Sequence, residues 1–292
     1  MSGIYVEIKI AASLEEVWRR TQDPWLHQQW DLRFTSIRYL PKDREDDAQR
    51  FHYSTRIGFG LEVEGAGEST GVRQGEDGGA ASALKFWSHS PWSLIREGSG
   101  YWRYIPVEGG VRFLTWYDYT VRWPLADVLF RPLIHWATAW SFDRLRIWIE
   151  QGTSPALSFR LASASALARG AVAFVWLYHG LVPKLWLAHR SEIALLQAAG
   201  APLALLPWLG AAEALFGVLI LFTPRRRWPL WITVVAMPAA LIGVAMSAPW
   251  ALGQAFNPVT LNAAAMVLAA IALRLHPHVP SSTRCITRRG KP

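Results

Sequence analysis

The sequence predicts an α+β soluble domain followed by an all-α bundle of four transmembrane helices. Three observations lead there. At 292 residues the chain exceeds what one hydrophobic core usually organises. Acidic residues nearly vanish halfway: residues 1–150 hold 18 Lys/Arg against 20 Asp/Glu, and residues 151–292 hold 12 against 2. The second half also carries four long apolar runs, whereas the first alternates apolar and polar residues between turn signals.

In chain order, YVEIKIAAS reads as a half-buried strand. It runs into LEEVWRRTQDP, a helix with Ser13 placed as N-cap and Glu16 at the capping-box position. LHQQWD is a second short helix. Strand-like segments follow: SIRYLP, QRFHYSTRIGF, LEVEGAGESTGVRQ, ASALKFWSHS, SLIREGSGYWRYIPV and GVRFLTWYDYTVRW, broken by EDGG and EGG. LADVLFRPLIHWATAWSFDRLRIWIEQG closes the domain as a long helix. This order suggests a curved antiparallel sheet wrapped on the terminal helix, over residues 1–151.

Residues 152–165 read as a Ser/Ala-rich linker that holds the soluble domain close to the membrane. Four spans are expected at about 166–186, 202–222, 228–247 and 257–275, each near the ~20 residues needed to cross a bilayer. A large soluble helical bundle is the alternative, and the near absence of acidic residues argues against it. Arg225, Arg226 and Arg227 lie between spans two and three, and Arg284, Arg288, Arg289 and Lys291 lie in a basic tail over 276–292. The loop APWALGQAF is uncharged, so the positive-inside rule places both termini in the cytoplasm of a bacterial cell, against Lys184 and Arg190 on the outer side. Trp186, Trp208, Trp228, Trp231 and Trp250 near span ends read as interfacial anchors.

Charge of this kind excludes a nucleic-acid binder, because the basic residues punctuate apolar runs instead of covering one exposed face. Cys285 has no partner cysteine, so no disulfide or dithiol pair forms within the chain. The N-terminus lacks the basic and apolar regions of a secretory signal, and the first domain is expected to stay where it is made. Bis-histidine haem needs two histidines at membrane depth, and only His179 qualifies; no metal-ligand spacing occurs.

Polar residues inside the spans are the candidate membrane site. Glu213 falls mid-span, sharing a helix face with Gly210 and Gly217, and should point into the bundle as a proton-accepting or ligand-binding group, or as a structural hydrogen-bonding one. Asn257 before Pro258 reads as an N-cap, whereas Asn262 lies more than a turn inside. In FVWLYHGLVPKLW, Pro183 is expected to bend or end the first span, with Lys184 snorkelling to headgroups. His179 is expected to face Glu213 across the bundle.

WLYHGLVPKLW, EIALLQAAG, LGAAEALFGVLI and FNPVTLNAAAMVLA together resemble the DoxX-like family of small four-helix membrane proteins, over residues 165–275. That resemblance implies a quinone or redox association for some members, and puts His179, Lys184, Glu213, Asn257 and Asn262 forward as the polar set. AASLEEVWRRTQDPWLHQQWD and TWYDYTVRWPLADVLFRPLIHWATAWSFDRL resemble the START-like (SRPBCC) superfamily that includes polyketide cyclases and dehydratases. This second resemblance implies a helix-grip fold with an apolar cavity used for lipids, sterols or polyketides. Trp30, Trp87, Trp102, Trp116, Trp136 and Trp140 are candidates to line such a cavity, or simply fill a core. His52, His89, Glu62, Glu64 and Asp118 are available for acid–base work, yet no catalytic constellation stands out, and fold analogy supplies no reaction.

The fold class expected is therefore a helix-grip (START-like) domain followed by a four-helix transmembrane bundle. The function expected is membrane-anchored binding of an apolar lipid or quinone-like ligand. Two alternatives are a subunit of a quinone-linked membrane oxidoreductase with a redox partner, and a membrane scaffold without chemistry of its own.

Overall fold

The computed structural model describes residues 3–44, 46–72 and 78–288. Arg289 and Lys291 of the basic tail, and the Arg73, Gln74, Glu76 and Asp77 positions of the expected strand end and turn, lie outside them. The chain forms two units: residues 1–158 with 280–292, and residues 159–279.

The first unit is a seven-stranded antiparallel sheet with three helices. Its strands are β1 (Ile4–Ile10), β2 (Ser36–Tyr39), β3 (Gln49–Gly58), β4 (Leu61–Val72), β5 (Ala80–Trp87), β6 (Ile95–Val107) and β7 (Gly110–Val121), in spatial order β1-β7-β6-β5-β4-β3-β2. Helices α1 (Leu14–Gln22) and α2 (Pro24–Trp30) separate the two edge strands in sequence, and α3 (Pro124–Gln151) follows the sheet. Ser13 caps α1, its Oγ accepting from Glu16 N at 3.2 Å. The return half of the capping box does not form, because the Glu16 carboxylate pairs with Arg19 and Arg20 instead. Gly152 ends α3 at φ 69°, a left-handed conformation that suits a residue without Cβ.

Alternation puts one face of the sheet against α3. Val6, Tyr104 and Phe113 are fully buried there with Phe142 and Leu145 of α3, and the Phe113 and Phe142 rings stack at 4.5 Å. Residues 280–288 complete this unit. Glu7 and Ile286 exchange backbone hydrogen bonds of 2.9 and 2.8 Å, which covers part of the exposed edge of β1. Cys285 is buried and its Sγ lies 3.2 Å from Ala139 O of α3.

The second unit contains α4 (Pro155–His179), whose first residues belong to the first unit, continued by a π-helical stretch (Gly180–Trp186), then α5 (Arg190–Ala198), α6 (Leu206–Phe222), α7 (Trp228–Ser247) and α8 (Pro258–Leu275). Helix α4 thus begins inside the stretch read as linker. Among the described residues, four helical segments are long and apolar enough to cross a membrane: Pro155–Trp186, Leu203–Phe222, Trp228–Ser247 and Pro258–His278. Val172, Ile220, Leu230, Ala269 and Leu273 form the buried centre of the unit. Its outer residues, including Phe174, Leu215, Val235 and Met246, are large, apolar and exposed, as a lipid-facing surface requires.

Candidate functional site

A cavity of about 530 Å³ lies between the sheet and α3. Leu84 and Phe86 of β5 and Tyr117 of β7 form one wall, and Phe130, Leu133 and Ile134 of α3 the other. The volume is within the ~300–1,000 Å³ of small-molecule sites. Gly100 of β6 also lines it; a Cβ there would meet Trp116 O at 2.4 Å, so the sheet admits no side chain at that point.

Charge enters this apolar space through the segment after α2. Arg33 lines the cavity with its side chain 14% exposed, and its Nε and Nη2 bind the Asp31 carboxylate at 2.9 and 2.6 Å. Asp31 is fully enclosed, and His27 Nε2 lies 3.0 Å from its Oδ2. Burial alone would raise the Asp31 pKa, but the Arg33 charge and hydrogen bonds outweigh it and hold the carboxyl well below the usual carboxylate range. The same pairing overcomes burial at Arg33 and raises its pKa. Burial among Trp30, Phe34 and Trp102 wins at His27, whose pKa falls below the ordinary histidine value despite Asp31. The ring is therefore neutral at pH 7, and the His27–Asp31–Arg33 group carries no net charge. Burial also pushes the Tyr53 hydroxyl, on the opposite strand, up to about 12.

Of the six tryptophans expected around a cavity, Trp102 and Trp136 line it. The other four do not. Trp30 is fully buried in the core and donates from Nε1 to Arg20 O at 2.9 Å. Trp87 and Trp116 alternate to the outer face of strands whose inner residues form the wall, and Trp116 stacks on Tyr101 there. Trp140 lies on α3 beside Arg144, whose guanidinium carbon is 5.5 Å from its ring. Trp92 lines the cavity and was not anticipated, because nothing in its turn-like surroundings signals which way it faces. His52, His89, Glu62 and Glu64 are exposed, and Asp118 accepts from Arg131 Nη1 at 3.2 Å; none lines the cavity.

A second polar cluster lies in the helical unit. Lys184 Nζ is 2.9 Å from Glu213 Oε2 of α6 and 3.3 Å from Glu192 Oε2 of α5. Glu213 Oε2 is buried and accepts no aligned hydrogen bond, so this contact is an ion pair by proximity. In place of the expected snorkelling to headgroups, Lys184 pairs with two acids: the first span runs through Pro183 to its expected end at Trp186 as a π-helical stretch, whose wider turns accommodate the missing N–H. Lys184 consequently stays at the level of Gly210, whose Cβ would meet Lys184 Cβ at 2.8 Å, and Glu213 is one turn further along α6. Gly180 has the reciprocal role, since a Cβ there would meet Gly210 O at 2.4 Å.

Gly180, next to His179, packs on Gly210 and Ala214, next to Glu213, but no hydrogen bond or ion pair joins His179 to Glu213 among the described residues. Glu213 takes Lys184 as partner, and the only ring contact of His179 among the described residues is with Tyr178. Asn257 caps α8, its Oδ1 accepting from Thr260 N at 3.0 Å. Asn262 makes no hydrogen bond through its side chain among the described residues, and neither asparagine joins the cluster. Sequence reasoning passed over Glu192, which looks like an ordinary first-turn acid of a surface helix. Among the described residues no group of His, Cys, Asp and Glu is arranged to hold a metal.

Four apolar helices joined to a sheet-and-helix unit with an internal cavity define the class: a multi-span membrane protein that carries a helix-grip cavity domain. A family model described as the DoxX-like family matches residues 173–270. A relative described as the uncharacterized membrane protein YndG of Bacillus subtilis (strain 168) is 45% identical over 183 residues, covering 61% of this chain and 68% of its own. The chain belongs to the family of that membrane protein. Similar solved structures include human StAR-related lipid transfer protein 5, 16% identical over 50% of this chain and 74% of that one, TM-score 0.39. Another is the STAR-related lipid transfer protein of Xanthomonas axonopodis, 18% identical over 49% of this chain and 82% of that one, TM-score 0.38. At such scores the helix-grip architecture stands on its own strand order and terminal helix.

Proposed function

We propose that the cavity of the first unit binds an apolar molecule of lipid or quinone type through one neutral hydrogen-bonding headgroup, a carbonyl or hydroxyl. The observation that carries this reading is the neutral His27–Asp31–Arg33 group beside a wall of apolar and uncharged polar side chains, whose one other charged residue, Arg56, is exposed and pairs with Glu62. Arg33 gives Nε and Nη2 to Asp31 and is also hydrogen-bonded to Tyr117, which lines the cavity too, so the guanidinium and that hydroxyl together form the polar point that a ligand oxygen would meet. A ligand anion would leave an uncompensated negative charge in low dielectric, which is costly. A neutral oxygen completes the hydrogen bonding without adding charge.

The second unit, with its four candidate spans, keeps this binding site at a membrane, where apolar ligands partition. Arg225, Arg226 and Arg227 precede α7, and Arg284 and Arg288 follow α8, which supports a bacterial cytoplasmic membrane with both termini in the cytoplasm. Extraction of the purified full-length chain tests the reading: an apolar molecule should be enriched in wild-type protein and lost from Ala137→Trp, which fills the cavity from α3. Equal recovery from both proteins would contradict it.

A further inference from the structure

Only two acidic residues occur from residue 151 to the end of the chain, Glu192 and Glu213, and both converge on Lys184. They come from different helices, α5 and α6, and meet the lysine on the π-helical continuation of α4. Ordinary surface pairing does not concentrate every acid of a basic unit on one ammonium. The three side chains are 17, 25 and 11% exposed for Glu192, Glu213 and Lys184, so solvent does not dilute their charges.

Charge counting then fixes what the cluster lacks. Two carboxylates and one ammonium sum to −1, and an unmatched negative charge within an apolar bundle is strongly disfavoured. Among the described residues, the groups facing it supply no second cation. Helix α7, which packs on α5 and α6, has no titratable side chain, and His189 and Arg190 at the start of α5 are exposed. His179 lies within electrostatic reach of Lys184 and Glu192 but makes no ion pair with either acid.

We infer that the Lys184–Glu192–Glu213 cluster is a proton-binding site that holds one exchangeable proton, shared by the two carboxylates around the ammonium. Uptake converts one carboxylate to a carboxylic acid, with no electron moved and no bond broken except that of the donor water or hydronium. The proton belongs to the pair and not to either glutamate, because the two acids titrate as a coupled unit. An arrangement of this kind can accept and release a proton in response to whatever separates Lys184 from Glu213, as a change in the packing of α4 on α6 would.

Infrared spectroscopy of the full-length protein in lipid nanodiscs counts protonated carboxyl groups through their C=O stretch, with exchange into heavy water marking accessible ones. At neutral pH the wild type is expected to show one such group. Glu213→Gln and Glu192→Gln should each show none, because a one-to-one ion pair remains. Lys184→Met should show two, since neither carboxylate then has a counter-charge. Should Glu213→Gln not fold, Glu192→Gln makes the same demand from the short helix α5. A wild type without the signal, or a signal unaffected by both glutamine variants, overturns the inference. So does a signal that appears only when alkali cations are removed, which would assign the site to a metal cation.

Discussion

Asp31 and Arg33 illustrate how little a spacing reveals before the local structure is known. The residues follow Trp30 in WDLRF, and pairing requires α2 to end at Trp30 so that the next residues extend. By its sequence Asp31 belongs to the helix LHQQWD, and nothing in one chain signals that Arg33 turns inward. Arg33→Ala should destabilise the first unit by about 3–5 kcal/mol, the usual cost of stranding one partner of a buried pair. Asp31→Asn combined with Arg33→Met should recover most of that loss in chemical unfolding. His27 contributes a pH dependence of definite sign. Its folded pKa is depressed, so its contribution is complete above about 6.5, the ordinary value, and declines as pH falls toward the folded pKa. Thermal unfolding should therefore show stability dropping below about pH 6.5 in the wild type, with a weaker drop in His27→Gln.

Helices and strands were more legible than their contents, because their signals are periodic and local. β3, β5 and β7 fall within the expected segments to a few residues, and Asn257 caps α8 where the Asn-Pro pair marks it. The π-helical stretch was not legible, since Pro183 signals an interruption without saying whether the helix stops or widens. Gly180→Ala tests that element directly: a Cβ 2.4 Å from Gly210 O must push α4 from α6, at about 1–3 kcal/mol by overpacking, and should weaken the Lys184–Glu213 contact. Arg169 does complementary work at the other end of α6. Its Nη1 donates to Ile220 O and Thr223 O at 3.1 and 3.2 Å, and its Nη2 to Arg226 O at 2.7 Å, which satisfies carbonyls at the helix C-terminus. Arg169→Met keeps the apolar stem and removes these donors, so detergent-titrated unfolding should register about 1–3 kcal/mol for each buried acceptor left bare.

At the scale of the molecule, both ends of the chain build the first unit. Residues 280–288 are a structural part of it, with Arg284 Nη1 2.8 Å from the enclosed Asp143 and Ser281 N at 2.7 Å. The four candidate spans lie, in sequence, between the two segments of this unit. The sequence marked the tail only as basic, a feature that the positive-inside rule already accounts for; the contacts with α3 depend on folding of distant segments. Truncation after Val279 should lower the melting temperature of the first unit, because Asp143 keeps Arg146 but loses Arg284 and the edge of β1 loses Ile286.

A single ratio measures the net charge beside the cavity. Competition for full-length protein between a long-chain alcohol and the carboxylate of equal length should favour the alcohol in the wild type. Asp31→Asn leaves Arg33 without its carboxylate, so the ratio should shift toward the acid by about tenfold or more, equivalent to 1.4 kcal/mol or more. A ratio unchanged by Asp31→Asn, in protein that still binds both probes, would contradict a headgroup site at Arg33.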